Sequence, residues 1–159
     1  MTNNDVLRAL RYALELDNGS LARFFAEAGQ AMPLENLAAH LKDEDEPGFA
    51  ALSDAKFARF LDGFIISQRG PRDPSQPAPP PPTRITNNHV LRCLKIALEL
   101  KDVDMIAIMD EAEVPISKAE LSALFRREDH RNFQPCGDQF LRNFLRGLGL
   151  WHRSGRQRQ

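Results

Sequence analysis

The 159-residue chain has only two cysteines, Cys93 and Cys136, with one tryptophan and one tyrosine. Two thiols so far apart, in no metal-ligand spacing, exclude a disulfide framework and fit free thiols in a reducing compartment. No apolar stretch approaches the roughly 18 residues that a membrane-spanning helix needs. The start, MTNNDVLRALRY, has neither a basic leader nor a hydrophobic run, so the chain reads as cytoplasmic with no membrane partner. Neither sign of charge dominates, 21 Lys+Arg against 22 Asp+Glu. A composition 42% hydrophobic and 27% charged excludes wholesale disorder and collagen-like repetition. Walker, GxGxxG and GxSxG motifs are lacking, which argues against the large enzyme classes that they mark.

Proline is present but unevenly placed: seven of the eleven fall in residues 71–85. Fixed φ and missing donors favour extended polyproline II there, the signature of a spacer. Pro74–Pro77 and Pro77–Pro80 also fit PxxP, the pattern of a proline-rich ligand. On either side, Thr2–Gly70 and Thr86–Ser154 align at a constant offset of 84, with 23 identities in 69 positions. Chance supplies about 4. The chain is an internal duplication.

In each copy apolar residues recur at three and four, the period of an amphipathic helix. Helix one turns Val6, Leu7, Leu10 and Leu14 inward, matched by Val90, Leu91, Leu94 and Leu98. Helix two carries Leu21, Phe24, Phe25 and Ala28, or Met105, Ile108, Met109 and Ala112; helix three Leu34, Leu37 and Leu41, or Leu121, Leu124 and Phe125. Helix four carries Phe57, Phe60, Leu61 and Phe64, or Leu141, Phe144, Leu145 and Leu148. Ser117-Lys-Ala-Glu120 spells a capping box, Pro33 suits a first helical turn, and Thr2 or an adjacent Asn, Asp54 and Asp138 are placed as helix caps. The expectation is all-α: two tandem four-helix modules, residues 1–70 and 86–154, joined by the proline-rich linker 71–85 and followed by a disordered basic tail, 155–159. About 70 residues is marginal for a fold alone, so the copies are expected to pack together or the chain to dimerise.

The segments NNDVLRALRYALEL, EDEPGF, NNHVLRCLKIALELKD and CGDQFLRNFLRGL resemble the bacterial YehS-like family, small proteins built from two copies of a domain of unknown function. The resemblance covers Thr2–Gly70 and Ile85–Trp151 and implies the tandem architecture. It carries over no activity and no catalytic residue. The first copy reads ALSD where the second reads PCGD, so any role of Cys136 is confined to the second.

Cys136 with nearby His130 raises the question of a thiol nucleophile, which needs a lowered pKa and a base within reach. The plainer reading gives Gly137 to a turn and Asp138 to a cap, and makes Cys93, matched by Ala9, a packing residue. The four histidines form no metal-binding pair, and Asp43-Glu44-Asp45-Glu46 lacks the alternation and glycine of a calcium loop; no cofactor or metal is expected. The twin pairs Asn3-Asn4 and Asn87-Asn88 exceed what one cap requires. They read as parts of the helix start or as an exposed polar contact repeated in both copies.

Charge has segregated. Residues 1–70 hold 7 basic and 11 acidic residues, whereas from Arg126 onward there are 8 against 3, a net of +5. Arg142, Arg146 and Arg153 share one helix face, and Arg126, Arg127 and Arg131 lie in the preceding segment. Two readings follow: a non-enzymatic adaptor contacting an unknown protein partner or a second copy, and a nucleic-acid-binding regulator using the arginines on phosphates, with Trp151 or His152 available for stacking. A helix-turn-helix outline in helices two and three adds little, since Gly29 in the first turn is Glu113 in the second.

Overall fold

A computed structural model describes residues 1–76, 82 and 84–157. The PxxP positions from Pro77 onward lie outside them. The order is α1 (Asn3–Ala13), α2 (Asn18–Glu27), α3 (Leu34–His40) and α4 (Asp54–Arg69), then α5 (Asn87–Ala97), α6 (Asp102–Glu111), α7 (Lys118–Leu124) and α8 (Asp138–Gln157). Among the described residues there is no strand. The fold is all-α with two four-helix modules. By contacts the chain forms two compact units, Met1–Arg11 with Leu16–Ile85, and Tyr12–Glu15 with Thr86–Gln159.

In the first unit α2 packs mainly on α4, and in the second α6 packs on α8. The α4 and α8 faces expected from periodicity are all buried. The first core is aromatic: Phe24, Phe25, Phe57, Phe60 and Phe64 form a chain of ring contacts with centroids 5.1 to 6.3 Å apart. The second fills the same positions with Ile108, Met109, Leu141, Phe144 and Leu148. One shared residue controls both packings. A Cβ on Gly63 would lie 1.5 Å from the Phe24 carbonyl oxygen, and one on Gly147 2.1 Å from the Ile108 carbonyl oxygen. Only glycine lets α2 approach α4, and α6 approach α8, so closely.

Helix ends repeat as well. α1 and α5 stop where Glu15 (φ 54°) and Glu99 (φ 53°) turn left-handed, and the following amides return to Arg11 O at 2.9 Å and Lys95 O at 3.0 Å. α2 and α6 stop the same way at Gly29 (φ 80°) and Glu113 (φ 61°). The capping box is present, Ser117 Oγ accepting from Glu120 N at 3.1 Å and Glu120 Oε1 from Ser117 N at 3.2 Å.

Five expectations are corrected. Leu34, expected inside, is 58% exposed: it is the first residue of α3, one turn ahead of buried Leu37 on the same face, and that end of the helix is left uncovered. Leu14 and Leu98, like Ala28, Leu41 and Phe125, lie beyond their helices and are only half-buried. Ser53 rather than Asp54 caps α4, accepting from Lys56 N at 3.2 Å. Pro33 is the residue before the first turn of α3. Gly155–Gln157 continue α8 where a disordered tail was expected. Both flanks of the linker are tied to α4: Arg72 Nη2 sits 3.1 Å from Asp62 Oδ1, and Ile85 N donates to Asp54 Oδ2 at 3.3 Å.

Candidate binding surface

Between the third and fourth helices of each repeat runs a 13-residue irregular segment, 41–53 or 125–137. A segment of that length must find partners for its backbone groups wherever they are shielded from water. The twin asparagines supply them. Asn4 Nδ2 donates to His40 O and Ala50 O, both at 2.9 Å, while its Oδ1 accepts from Leu52 N at 2.9 Å. Asn88 does the same with Leu124 O (2.9 Å), Gln134 O (3.0 Å) and Cys136 N (2.8 Å). Asn3 Nδ2 reaches Leu52 O at 3.0 Å and Asp54 Oδ1 at 2.7 Å; Asn87 Nδ2 reaches Cys136 O at 3.0 Å and Asp138 Oδ1 at 2.8 Å. One turn further on, Arg8 Nη1 donates to Lys42 O at 2.7 Å, and Arg92 Nη2 to Phe125 O at 3.3 Å. A backbone bond closes each segment, Ala50 N to Ala39 O and Gln134 N to Ala123 O.

The asparagines are therefore internal staples, and the reading of an exposed repeated contact is overturned. Asn4 is 3% exposed with both amide protons and its carbonyl engaged. Asp54 and Asp138 serve as acceptors for Asn3 and Asn87, the role that replaces the expected cap. The partners lie 36 to 51 residues away, beyond the reach of local pattern. The available signal was that both asparagines and the arginine, polar residues with no apolar face to serve, recur in both copies within the best-matched stretch of the repeat.

The six arginines divide. Arg146 Nη2 donates to Ala112 O at 2.7 Å, closing the C-terminal end of α6. The Arg153 guanidinium lies 5.6 Å from the centroid of the Tyr12 ring within the second unit. Arg126 Nη1 reaches Asn132 O at 3.4 Å, and Arg127 Nη2 sits 3.3 Å from Asp129 Oδ2. Arg127, Arg131, Arg142 and Arg146 are exposed. The common helix face of Arg142, Arg146 and Arg153 is thus not a row of free guanidiniums.

The thiols are buried. Burial, with the Asp138 carboxylate adding to it, pushes the Cys136 thiol up to about 12, the reverse of what a nucleophile needs. Exposed His130 turns Nδ1 to its own loop, accepting from Asn132 N at 3.0 Å. Buried His40 places Nδ1 2.8 Å from Ala50 O, which makes it a donor and a further tie on the first segment. Among the described residues, no three His, Cys, Asp or Glu side chains gather as metal ligands.

One surface feature belongs to the second repeat's own sequence. A cleft of about 600 Å³ opens between α7, the end of segment 125–137 and the first turn of α8. Ala119, Ala123, Leu124, Pro135 and Phe140 make its apolar lining, with Glu120 and Gln134 beside them. At the matching positions of Ala119, Pro135 and Phe140 the first repeat has Glu35, Ala51 and Lys56. The staples fix one wall, since Asn88 holds both Gln134 O and Cys136 N. Sequence reading missed this cleft because its residues are scattered over 119–140 and combine only once the segment folds back.

Comparison with known proteins agrees with the repeat. The family model described as "Protein of unknown function (DUF1456)" matches residues 3–70 and again 87–154. The uncharacterized protein YehS of Escherichia coli (strain K12) is 45% identical over 148 residues, covering 93% of this chain and 94% of that protein. No solved structure matches. With the family model matching both repeats and the YehS-like resemblance borne out, the chain belongs to the DUF1456 family, whose function is uncharacterised.

Proposed function

We propose that this protein is a non-catalytic helical binding module that contacts protein partners through the cleft of its second repeat. The observation that supports this reading is the division of labour between shared and divergent residues. Asn3, Asn4 and Arg8, with Asn87, Asn88 and Arg92, are spent on the scaffold. Three of the many residues in which the second repeat departs from the first, Ala119, Pro135 and Phe140, line an accessible apolar cleft. A concave, mostly apolar surface of this size with a few polar groups at its edge suits an anchoring side chain from a partner. A Cys136 thiol held protonated speaks for binding rather than nucleophilic chemistry.

Selection of a displayed random peptide library on the whole protein tests this. Peptides sharing an apolar anchor, and losing affinity by about tenfold or more for an Ala119→Glu/Phe140→Lys variant, support the reading. That variant places the first repeat's residues at sites that are not buried, so the fold is expected to survive. Peptides that bind both proteins equally contradict it.

A second reading, nucleic-acid binding, draws on the exposure of Arg127, Arg131 and Arg142. The engagement of Arg146 with Ala112 O and of Arg153 with Tyr12 weighs against it. It predicts salt-sensitive anisotropy of labelled DNA or RNA, lost in an Arg127→Ala/Arg131→Ala/Arg142→Ala variant.

A further inference from the structure

We infer that the cleft of the second repeat receives Leu34 from the first repeat of another copy of this chain; the inference rests on the cleft being the protein-binding surface proposed above. Leu34 is a large apolar side chain with 58% of its surface in water, at the very start of α3. The other large exposed apolar residues of the described chain, Tyr12, Ile96, Val103 and Leu150, all belong to the second unit. On the first unit Leu34 therefore stands as an isolated knob.

The repeat alignment makes knob and cleft complementary. In α3 the order is Leu34-Glu35, an apolar residue followed by an acid. At the same place in α7 it is Lys118-Ala119, a base followed by a residue of the cleft lining. Glu35 and Lys118 are both exposed. With Leu34 seated against Ala119, Ala123 and Phe140, Glu35 comes up to α7, where Lys118 and the lining residue Glu120 carry opposite charges, so the choice of partner rests on the wider charge. That charge favours the pairing: residues 1–70 hold 7 basic and 11 acidic residues, and the stretch from Arg126 onward 8 and 3. Opposite net charges on the two docking halves steer their encounter, and lose that effect as salt rises.

Knob and cleft are different surfaces, so the contact is heterologous. It closes if two copies each insert a knob into the other, and otherwise propagates head to tail.

The test is sedimentation velocity of the full chain over a concentration series, at low and high salt. Association that strengthens at low salt is expected for the wild type. Leu34→Lys, which installs the second repeat's residue, keeps the cleft and loses the knob; Ala119→Glu/Phe140→Lys keeps the knob and loses the cleft. Each alone is expected to weaken association by about tenfold or more. An equimolar mixture of the two is expected to recover a single contact, as a pair that grows no further, because the one remaining knob meets the one remaining cleft. Circular dichroism and urea midpoints for both variants establish that they are folded. A wild type that stays monomeric throughout, or association indifferent to both variants, overturns the inference. If library peptides still require the cleft, that result leaves the binding module standing and removes only the second copy as its occupant. If peptides also ignore the cleft, both fall.

Discussion

At the residue scale, the second of the twin asparagines is the most consequential polar position in each repeat. It turns one side chain into three hydrogen bonds on an otherwise irregular segment. Asn4→Ala strands the His40 carbonyl and the Leu52 amide, while Ala50 O keeps its bond from His40 Nδ1, with desolvation costs of roughly 1–3 kcal/mol for each group that water does not reach. The expected loss is about 3 kcal/mol, read as a lower urea midpoint; Asn3→Ala, whose site is half-buried, is expected to lose less. Cys136 gives a prediction in pH. Its thiol rises from an ordinary 9.0 to about 12 in the fold. The thiol's contribution is therefore intact below about pH 9 and is lost between 9 and 12, as the unfolded chain ionises and the folded chain does not. Alkaline urea titration of wild type against Cys136→Ala is expected to show the wild type falling more steeply across that window. Periodicity named most of the buried apolar residues correctly, from Val6 to Leu148, but it misplaced Leu34. A residue in the first helical turn satisfies the three-and-four spacing whether or not another element lies over it.

At the element scale, two glycines and one glutamate oppose helix propensity and position. Alanine is normally about 1 kcal/mol better than glycine inside a helix. At Gly63 or Gly147 the added Cβ collides with a backbone carbonyl that belongs to another helix and has no rotamer to escape into. Gly147→Ala is expected to destabilise by about 1–3 kcal/mol or more, while Gly155→Ala, whose Cβ meets nothing within 4 Å, is expected to be neutral or slightly favourable. Thermal unfolding of the two variants side by side checks the opposite signs. Glu113 occupies the left-handed turn that the first repeat gives to Gly29. Relief of left-handed strain, about 1–2 kcal/mol for an L-residue, outweighs the entropy cost of glycine. Glu113→Gly is thus expected to stabilise by about 0.5–1 kcal/mol, read as a higher urea midpoint at unchanged m-value. The eight helices were legible because each carries an apolar face and several carry caps. The closeness of their approach was not, since a glycine in a helical pattern looks the same whether it faces solvent or a carbonyl.

At the scale of the whole molecule, duplication separates what the fold requires from what has been free to change. The shared Asn-Asn…Arg set, the packing glycine and the left-handed helix ends recur in both repeats and are accounted for by the scaffold. Divergence has produced an aromatic core with Glu35 and Lys56 on one side, and an apolar cleft lined by Ala119, Pro135 and Phe140 on the other. The segregation of charge was legible from residue counts; the internal engagement of Arg146 and Arg153 was not, because it depends on which carbonyl or ring a long side chain meets. The most direct test of this account is a two-dimensional amide NMR titration of the assigned protein with a library-selected peptide. The account predicts shifts concentrated on Ala119–Phe140 and absent from the matching positions 35–56 of the first repeat. Shifts centred instead on the arginine face of Arg142, Arg146 and Arg153, or spread equally over both repeats, would contradict it.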